Sequence, residues 1–399
     1  KKLLTVIISI VLLSACVDNR DLSKNIVVAH ISSNPDGLHP FNDNSVMRSF
    51  IFDHTQKTLI KLDLESLEYK PSLVKMLPEI SEDGLRYHYE LRDDVRWEDG
   101  SELTAEDVVF TAKLQICPLT DNANVRGNYS SVIKNIILYP DNPKKFTMVA
   151  FGKNVTNANI FSEVYIQQKS HWDSLGVLDD LTFEDIHNPN FKEKKEWSDW
   201  FNAFNHGDNR YQPERLVGLG PYQISEWETG SYIIAKKKEN WWGDKDTSIY
   251  NQNYPEEIIF KIITDDASVF LSLKSQELDA TNRVGTSKLF KLQKHDYFNE
   301  NYHSDFLNQY SYYYAGLNTR PDGIKRKKFF TDVKVRRAMA HLVPVDEIIE
   351  VLLHGEGSRQ VAQLSNLKKN YNDTLKLIEL DVEKAKQLLD EAGWVDTDD

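Results

Sequence analysis

The sequence predicts a mixed α/β protein of two or three domains. Apolar stretches with the alternation of strands are interleaved along the chain with stretches that repeat at helical spacing. No internal repeat or low-complexity linker interrupts this order, and 399 residues are enough for two or three domains of about 100–200 residues each. A mixed fold with an ample core is therefore the starting expectation.

The first half of the chain carries alternating strands and helices. Strands are predicted at 25–31, an apolar run that ends in turn-forming residues, and at 86–91, where tyrosines alternate with polar residues. Helical spacing begins at Val46. A tight turn at 99–100 leads to Thr104, which is expected to cap a helix whose first-turn acids suit its dipole. This half is therefore α/β.

The second half continues the alternation. Four aromatic residues within 197–204 lie at helical spacing, and core packing explains them better than ligand stacking. Asp381 is expected to be the N-cap of the clearest helix, which Gly393 ends. Further strands are predicted at 222–226, 231–236 and 257–263, an extended aromatic segment at 309–317, and further helices at 266–275, 333–342 and 345–353.

The composition excludes several classes of protein. With 48 Lys and Arg against 61 Asp and Glu, the formal net charge is −13, which disfavours a nucleic-acid partner because phosphate binding needs a basic surface. The two cysteines cannot form a disulfide scaffold or a structural zinc site, and the sequence has no nucleophile-elbow, zinc-protease, phosphate-loop or dinucleotide-binding motif. We therefore expect no cofactor, no metal and no catalytic residue.

The N-terminal segment resembles the export signal of a bacterial lipoprotein. Two lysines precede an apolar run, residues 3–13, that is too short to cross a hydrocarbon core about 30 Å thick. A lipobox-like sequence, LSAC, follows at 13–16, which implies removal of residues 1–15 and acylation of Cys16. The chain would then be tethered to a bacterial membrane, on the periplasmic face or the cell surface. Ordinary secretory cleavage, with Cys16 incidental, is the alternative.

Four segments resemble the signatures of one bacterial protein family. They are LRDDVRWEDGSELTAEDVVF at 91–110, VGLGPY at 217–222 followed by NWWG at 240–243, DVKVRRAM at 332–339, and VEKAKQLLDEAGW at 382–394. These are similar to segments of the family 5 extracellular solute-binding proteins, the oligopeptide and dipeptide receptors of ABC importers. The match runs in order from Cys16 to Asp399, with Leu219 in place of the small hydroxyl residue usual in its turn.

The resemblance implies a periplasmic-binding-protein type II-like α/β fold, with two hinged lobes and an extra domain on the first lobe. Lobe I would comprise residues 16–45 and 172–263, the extra domain 46–171, and lobe II 264–399. Family members continue well past the helix at 382–394, so lobe II is expected to be incomplete. Part of the ligand site would then lie beyond Asp399.

The resemblance also suggests ligand-contacting residues in lobe I. The loop at 38–44 matches the loop after the first strand of family members, and Asn44, beside Asp43, falls where some of them place a ligand-contacting polar residue. The alternative is that the Asn44 side chain forms its hydrogen bonds with the local backbone. Leu219 would alter a polar contact in the pocket. We therefore expect all three residues at the ligand site.

A second group lies in the aromatic segment at 309–317. Its alternation places Tyr312 and Tyr314 on one face, and a similar tyrosine strand lines the second lobe near the ligand in oligopeptide receptors. Asn318 ends this segment. Tyrosines packed in the core are the alternative interpretation. We expect Tyr312, Tyr314 and Asn318 to contact the ligand.

The resemblance implies a peptide-binding lipoprotein of an ABC importer. A monomer would enclose a peptide between its lobes and deliver it to the permease without covalent chemistry. Receptors of the same fold for oligosaccharides, nickel chelates or haem are an alternative, because fold does not fix the ligand; the Trp-rich middle favours a sugar and the tyrosine segment a peptide. A lipid-anchored peptide chaperone or sensor without a transporter is a further alternative, and the missing motifs disfavour an anchored hydrolase.

Overall fold

The computed structural model describes residues 24–320, 328–368 and 370–395. The predicted export signal and Cys16 lie outside the described residues. The chain divides into two compact units, Lys1–Asn282 and Arg283–Asp399. Within the described ranges, no helix combines the length and the apolar character needed to span a membrane.

The first unit alternates strands and helices, as predicted. Its elements are β1 (Ile26–Ile31), α1 (Val46–Thr55), β2 (Ile60–Leu62), β3 (Tyr69–Pro71), β4 (Glu79–Ile80), β5 (Arg86–Glu90), α2 (Ala105–Ile116), α3 (Ala123–Ser130), β6 (Ile133–Leu138), β7 (Lys145–Ala150), α4 (Lys169–Trp172), α5 (Phe183–His187), α6 (Lys195–Phe204), β8 (Tyr222–Glu228), β9 (Tyr232–Lys237), β10 (Glu257–Ile262) and α7 (Asp266–Lys274). Short 3₁₀ turns, among them Gly207–Arg210 and Ile249–Asn251, connect several of them.

One four-stranded sheet joins two distant parts of the chain. Its strand order is β1-β10-β9-β8, with β1 parallel to β10 and the other pairs antiparallel. The strands predicted near 25–31, 222–226, 231–236 and 257–263 are confirmed. Helix α1 packs against this sheet, because its Ile51 and Phe52 share a core with Ile233 and Phe260.

A second four-stranded sheet has the order β4-β5-β7-β6 and is antiparallel throughout. Tyr87 and Tyr89 point into its core, which confirms the alternation predicted for this strand. Helix α2 begins as predicted: the carboxylate of Asp107 accepts a hydrogen bond from the backbone N–H of Thr104 at 2.9 Å. Its apolar stripe is buried in the same core.

The aromatic residues of α6 confirm the core interpretation. Trp197, Phe201 and Phe204 are buried, and Trp200 stacks on Phe204 with ring centroids 4.9 Å apart. These rings therefore stabilise the first unit by removing a large apolar area from water.

The second unit is helical in the part that the structure describes. Its helices are α8 (Thr286–Leu292), α9 (Asp296–Asn301), α10 (Val333–His341), α11 (Val345–Leu353) and α12 (Val382–Glu391). Asp381 caps α12, accepting a hydrogen bond from the backbone N–H of Lys384 at 2.8 Å, and Gly393 follows at φ 83°, as predicted. Helix α11 ends at Leu353, as predicted, and His354 follows it with a left-handed φ of 53°.

The aromatic segment at 309–317, which the sequence predicts to be extended, is not paired as a strand among the described residues. In the described residues it has no regular secondary structure, and every named strand lies between Ile26 and Ile262. A strand exists only when its backbone groups pair with a neighbour, and alternation cannot supply that neighbour.

Candidate functional site

Asp43 and Asn44 lie in the loop between β1 and α1, residues 32–45, which we call the β1–α1 loop. The Asp43 side chain is 0% exposed and forms an ion pair with Arg210. Its carboxylate also accepts a hydrogen bond from the backbone N–H of His39 at 2.8 Å. Asn44 is exposed. These neighbours therefore differ in role: Asp43 anchors the loop from inside, while Asn44 presents an amide to solvent.

His39 supports the same loop from its interior. Its Nε2 lies 2.9 Å from the carbonyl oxygen of Phe204, and its Nδ1 accepts from the backbone N–H groups of Phe41 and Asn42, both at 3.1 Å. Nδ1 therefore carries no proton, and Nε2 donates to Phe204. Burial lowers the pKa of His39 to about 4, so the ring is neutral at physiological pH.

Arg48 closes the loop from the first turn of α1. Its Nη1 donates to the carbonyl oxygens of His39 and Pro40 at 3.0 and 2.9 Å, and its guanidinium lies 4.9 Å from the centre of the Phe52 ring. Burial lowers the pKa of Arg48. Sequence reasoning missed both Arg48 and Arg210. The partner of Arg210 is 167 residues away, and the contacts of Arg48 depend on how the loop folds back onto α1.

Leu219 lies in a tight turn packed on the end of α1. Its side chain is 0% exposed, and its carbonyl oxygen accepts hydrogen bonds from the indole N–H groups of Trp241 and Trp242, both at 2.9 Å. At Gly220 a Cβ atom would lie 2.4 Å from the carbonyl oxygen of His54, so the close approach requires glycine. Leu219 thus acts as a core residue here, and its predicted effect on a ligand would be indirect.

Two buried lysines support this turn. The amine of Lys238 donates to the carbonyl oxygen of Gly218 at 2.5 Å and pairs with Glu98 at 2.6 Å. The amine of Lys57 lies 5.4 Å from the centre of the Trp241 ring, and burial lowers its pKa to about 8. Glu98 belongs to the 91–110 signature, which therefore contributes to the scaffold of the turn.

The predicted tyrosine contacts lie in the second unit, where Tyr312 is half-buried and Tyr314 is exposed. The rings of Tyr312 and Tyr314 lie 5.7 Å apart, so they share a face as their spacing predicts, and Tyr314 is 78% exposed. Tyr313 is 98% exposed. Asn318 accepts a hydrogen bond from the backbone N–H of Arg320 at 3.1 Å. These exposures contradict the core alternative for Tyr314 and leave its ring free to contact a ligand.

Two cavities of the first unit are lined by residues other than the predicted ligand residues, although Val217, at one of them, belongs to the same segment as Leu219. The larger has a volume of about 540 Å³ and is lined by Glu98, Asp99, Gln168, Ser170, His171 and Val217. In the described part of the chain, no group of three or more His, Cys, Asp or Glu side chains could hold a metal ion.

Comparisons with known proteins identify the relatives of this chain. The model of the bacterial extracellular solute-binding proteins, family 5 Middle, matches residues 68–399. The oligopeptide-binding protein AppA of Bacillus subtilis is 26% identical over 341 residues, which are 85% of this chain and 54% of that protein. Heme-binding protein A of Haemophilus influenzae is 26% identical over 352 residues, 84% of this chain and 56% of that protein. The chain therefore spans about half the length of these relatives.

The fold is shared with a solved receptor. The periplasmic binding protein DppA of Helicobacter pylori, in complex with peptide STSA, superposes with a TM-score of 0.67 at 21% identity, over 92% of this chain and 66% of that one. This likeness confirms the predicted periplasmic-binding-protein type II-like α/β fold. The predicted limits of the lobes and the extra domain remain a prediction.

Proposed function

Because the chain belongs to the bacterial extracellular solute-binding proteins of family 5, we propose that it captures peptides outside the cytoplasm and delivers them to the permease of an ABC importer. The observation that carries the peptide assignment is the Tyr312–Tyr314 pair, half-buried at Tyr312 and exposed at Tyr314, whose apolar rings and hydroxyl groups suit varied peptide side chains. The similarity to AppA, an oligopeptide-binding protein, agrees with this choice.

The mechanism that we propose is non-covalent. An extended peptide would be held chiefly through its backbone, so that affinity is largely independent of sequence, while hydrated pockets accept different side chains. Ligand contacts with both lobes would favour the closed state, because a ligand shifts an equilibrium only by its differential affinity for the two states. Asn44, Tyr312, Tyr314 and Asn318 are the proposed contacts, and the protein would act as a monomer without enzymatic activity.

The proposal includes a lipid anchor at Cys16. The lipobox-like sequence at 13–16 supports it, and several acyl chains would hold the protein stably where one would not. Expression of wild type and C16S in a bacterial host, with metabolic labelling by an alkyne fatty acid, tests this. We expect label and membrane association in wild type alone; equal release of both proteins would refute the anchor.

Isothermal titration calorimetry with the tetrapeptide STSA tests the ligand assignment. Wild type should bind, while N44A and Y314A should bind more weakly without a change in melting temperature. Y313A is the matched control, because Tyr313 is an adjacent and still more exposed tyrosine on the other side of the chain. Failure of wild type to bind STSA or any peptide in a mixed tripeptide pool would refute the proposal.

A haem receptor is the second candidate, favoured by the similarity to heme-binding protein A. Native mass spectrometry of the protein with its co-purified ligand separates the two: mixed peptides support the first proposal, whereas haem, a nickel chelate or an oligosaccharide supports an alternative. The sugar alternative is weakened, because Trp197 of the Trp-rich middle is buried in the core. A permease gene beside this one would argue against a chaperone or sensor without a transporter.

A further inference from the structure

We propose that Arg210 is a positioning residue for ligand binding: through the buried carboxylate of Asp43 it fixes the β1–α1 loop and thereby holds Asn44 in place. This inference rests on the proposed function. It reassigns Asp43, which the sequence suggests as a ligand contact, to an anchoring role. Arg210 would influence the ligand through Asn44 and would not touch it.

The first step is that Asp43 has no carboxylate surface to offer a ligand. Its side chain is 0% exposed, and its two oxygens are taken by Arg210 and by the backbone N–H of His39. Gly37 packs so closely against the carboxylate that a Cβ atom there would lie 2.2 Å from Oδ2. A ligand could reach Asp43 only after the loop had come apart.

The second step is that Arg210 holds the loop at two points. The guanidinium binds Asp43 near the end of the loop, while the carbonyl oxygen of Arg210 accepts a hydrogen bond from the backbone N–H of Leu38 at 2.8 Å. A single residue of the Gly207–Arg210 turn therefore fixes the distance between positions 38 and 43. Arg48 adds a third fixed point by binding the carbonyl oxygens of His39 and Pro40.

The third step concerns Asn44 itself. Asp43, on one side, is held by Arg210, and Ser45, on the other, caps α1 by accepting a hydrogen bond from the backbone N–H of Arg48 at 3.1 Å. Asn44 is thus an exposed amide between two fixed neighbours. A contact group that is already ordered costs less entropy on binding, so loosening one neighbour should weaken the ligand.

Three variants test this inference. R210M removes the ion pair, R210K keeps a positive charge, and R86M is the matched control because Arg86 forms an exposed ion pair with Asp83 in the other sheet. Hydrogen–deuterium exchange reports the backbone amides of His39, Phe41 and Asn42. We expect faster exchange of these amides in R210M, partial protection in R210K and wild-type exchange in R86M.

Calorimetry with STSA on folded protein, well below the melting temperature, supplies the second readout. We expect R210M to raise the Kd about tenfold through lost pre-organisation, and to have little further effect when combined with N44A, since both changes act on the same contact. Additive effects of R210M and N44A, or faster exchange with an unchanged Kd, would show a merely structural role and overturn the inference. No STSA binding by wild type would instead refute the proposed function.

Discussion

Replacing Lys57 by methionine is expected to change how stability depends on pH. The amine is buried and donates to the carbonyl oxygen of Tyr250 at 2.9 Å and to Oδ1 of Asn251 at 2.6 Å. Burial lowers its pKa from 10.5 to about 8. Between these values the unfolded chain keeps the proton that the folded chain has lost, so the stability of wild type rises with pH in this window.

The magnitude follows from the two pKa values. The interval from about 8 to 10.5 corresponds to about 3 kcal/mol of unfolding free energy, at about 1.4 kcal/mol for each pH unit. Between pH 7 and pH 9 wild type should gain about 1 kcal/mol of this, because the folded amine titrates there while the unfolded amine stays charged. K57M lacks the amine and should not gain it.

Urea unfolding at pH 7, 8 and 9, followed by tryptophan fluorescence, measures the effect. The lost hydrogen bonds to Tyr250 and Asn251 shift the stability of K57M equally at each pH, so the informative quantity is the slope. K134M is the control, since Lys134 is an exposed lysine in the other four-stranded sheet, on β6. Parallel curves for wild type and K57M would refute the reasoning.

Three further predictions concern the loop, the turn and the last helix. G220A should destabilise the first unit by about 2 kcal/mol or more, because its Cβ would meet backbone atoms, whereas G127A, with open space around it, should not; urea unfolding compares them. The unfolding free energy of wild type should fall by about 2 kcal/mol from pH 7 to pH 5, because on acidification His39 takes up a proton in the unfolded state before it does so in the folded state. H39Q should lose less unfolding free energy in the same assay. D381A should cost about 1 kcal/mol through its lost cap, with D381N nearly neutral in thermal unfolding followed by circular dichroism.

Local features of the fold could be predicted from the sequence. The caps at Thr104 and Asp381 depend on residues within one helical turn, and the alternation of Tyr87 and Tyr89 depends on the pleat of a single strand. The pairing of strands into sheets could not be predicted in this way. The parallel contact of β1 with β10 joins segments more than two hundred residues apart, and nothing in either segment specifies the other.

The candidate site shows the same division. The exposure of Asn44 and the shared face of Tyr312 and Tyr314 follow from neighbouring residues. The burial of Asp43 does not, because it depends on Arg210, and the burial of Leu219 depends on a turn packed against α1. In the sequence, Asp43 resembles a second contact residue because it stands next to Asn44. Its anchoring role becomes visible only when its distant partner, Arg210, is known.

The charges around the candidate contacts bear on the choice of ligand. Arg210 pairs with Asp43, burial keeps His39 neutral, and the guanidinium of Arg48 binds backbone carbonyl oxygens, so these groups of the β1–α1 loop are engaged within the protein. The proposed contacts Asn44, Tyr312, Tyr314 and Asn318 are uncharged side chains that donate and accept hydrogen bonds. Such groups suit a peptide backbone, which is neutral and the same for every sequence, whereas an anionic chelate or the carboxylates of haem call for a cation. The proposed contacts therefore favour a receptor for peptides of varied sequence over one for an anionic ligand.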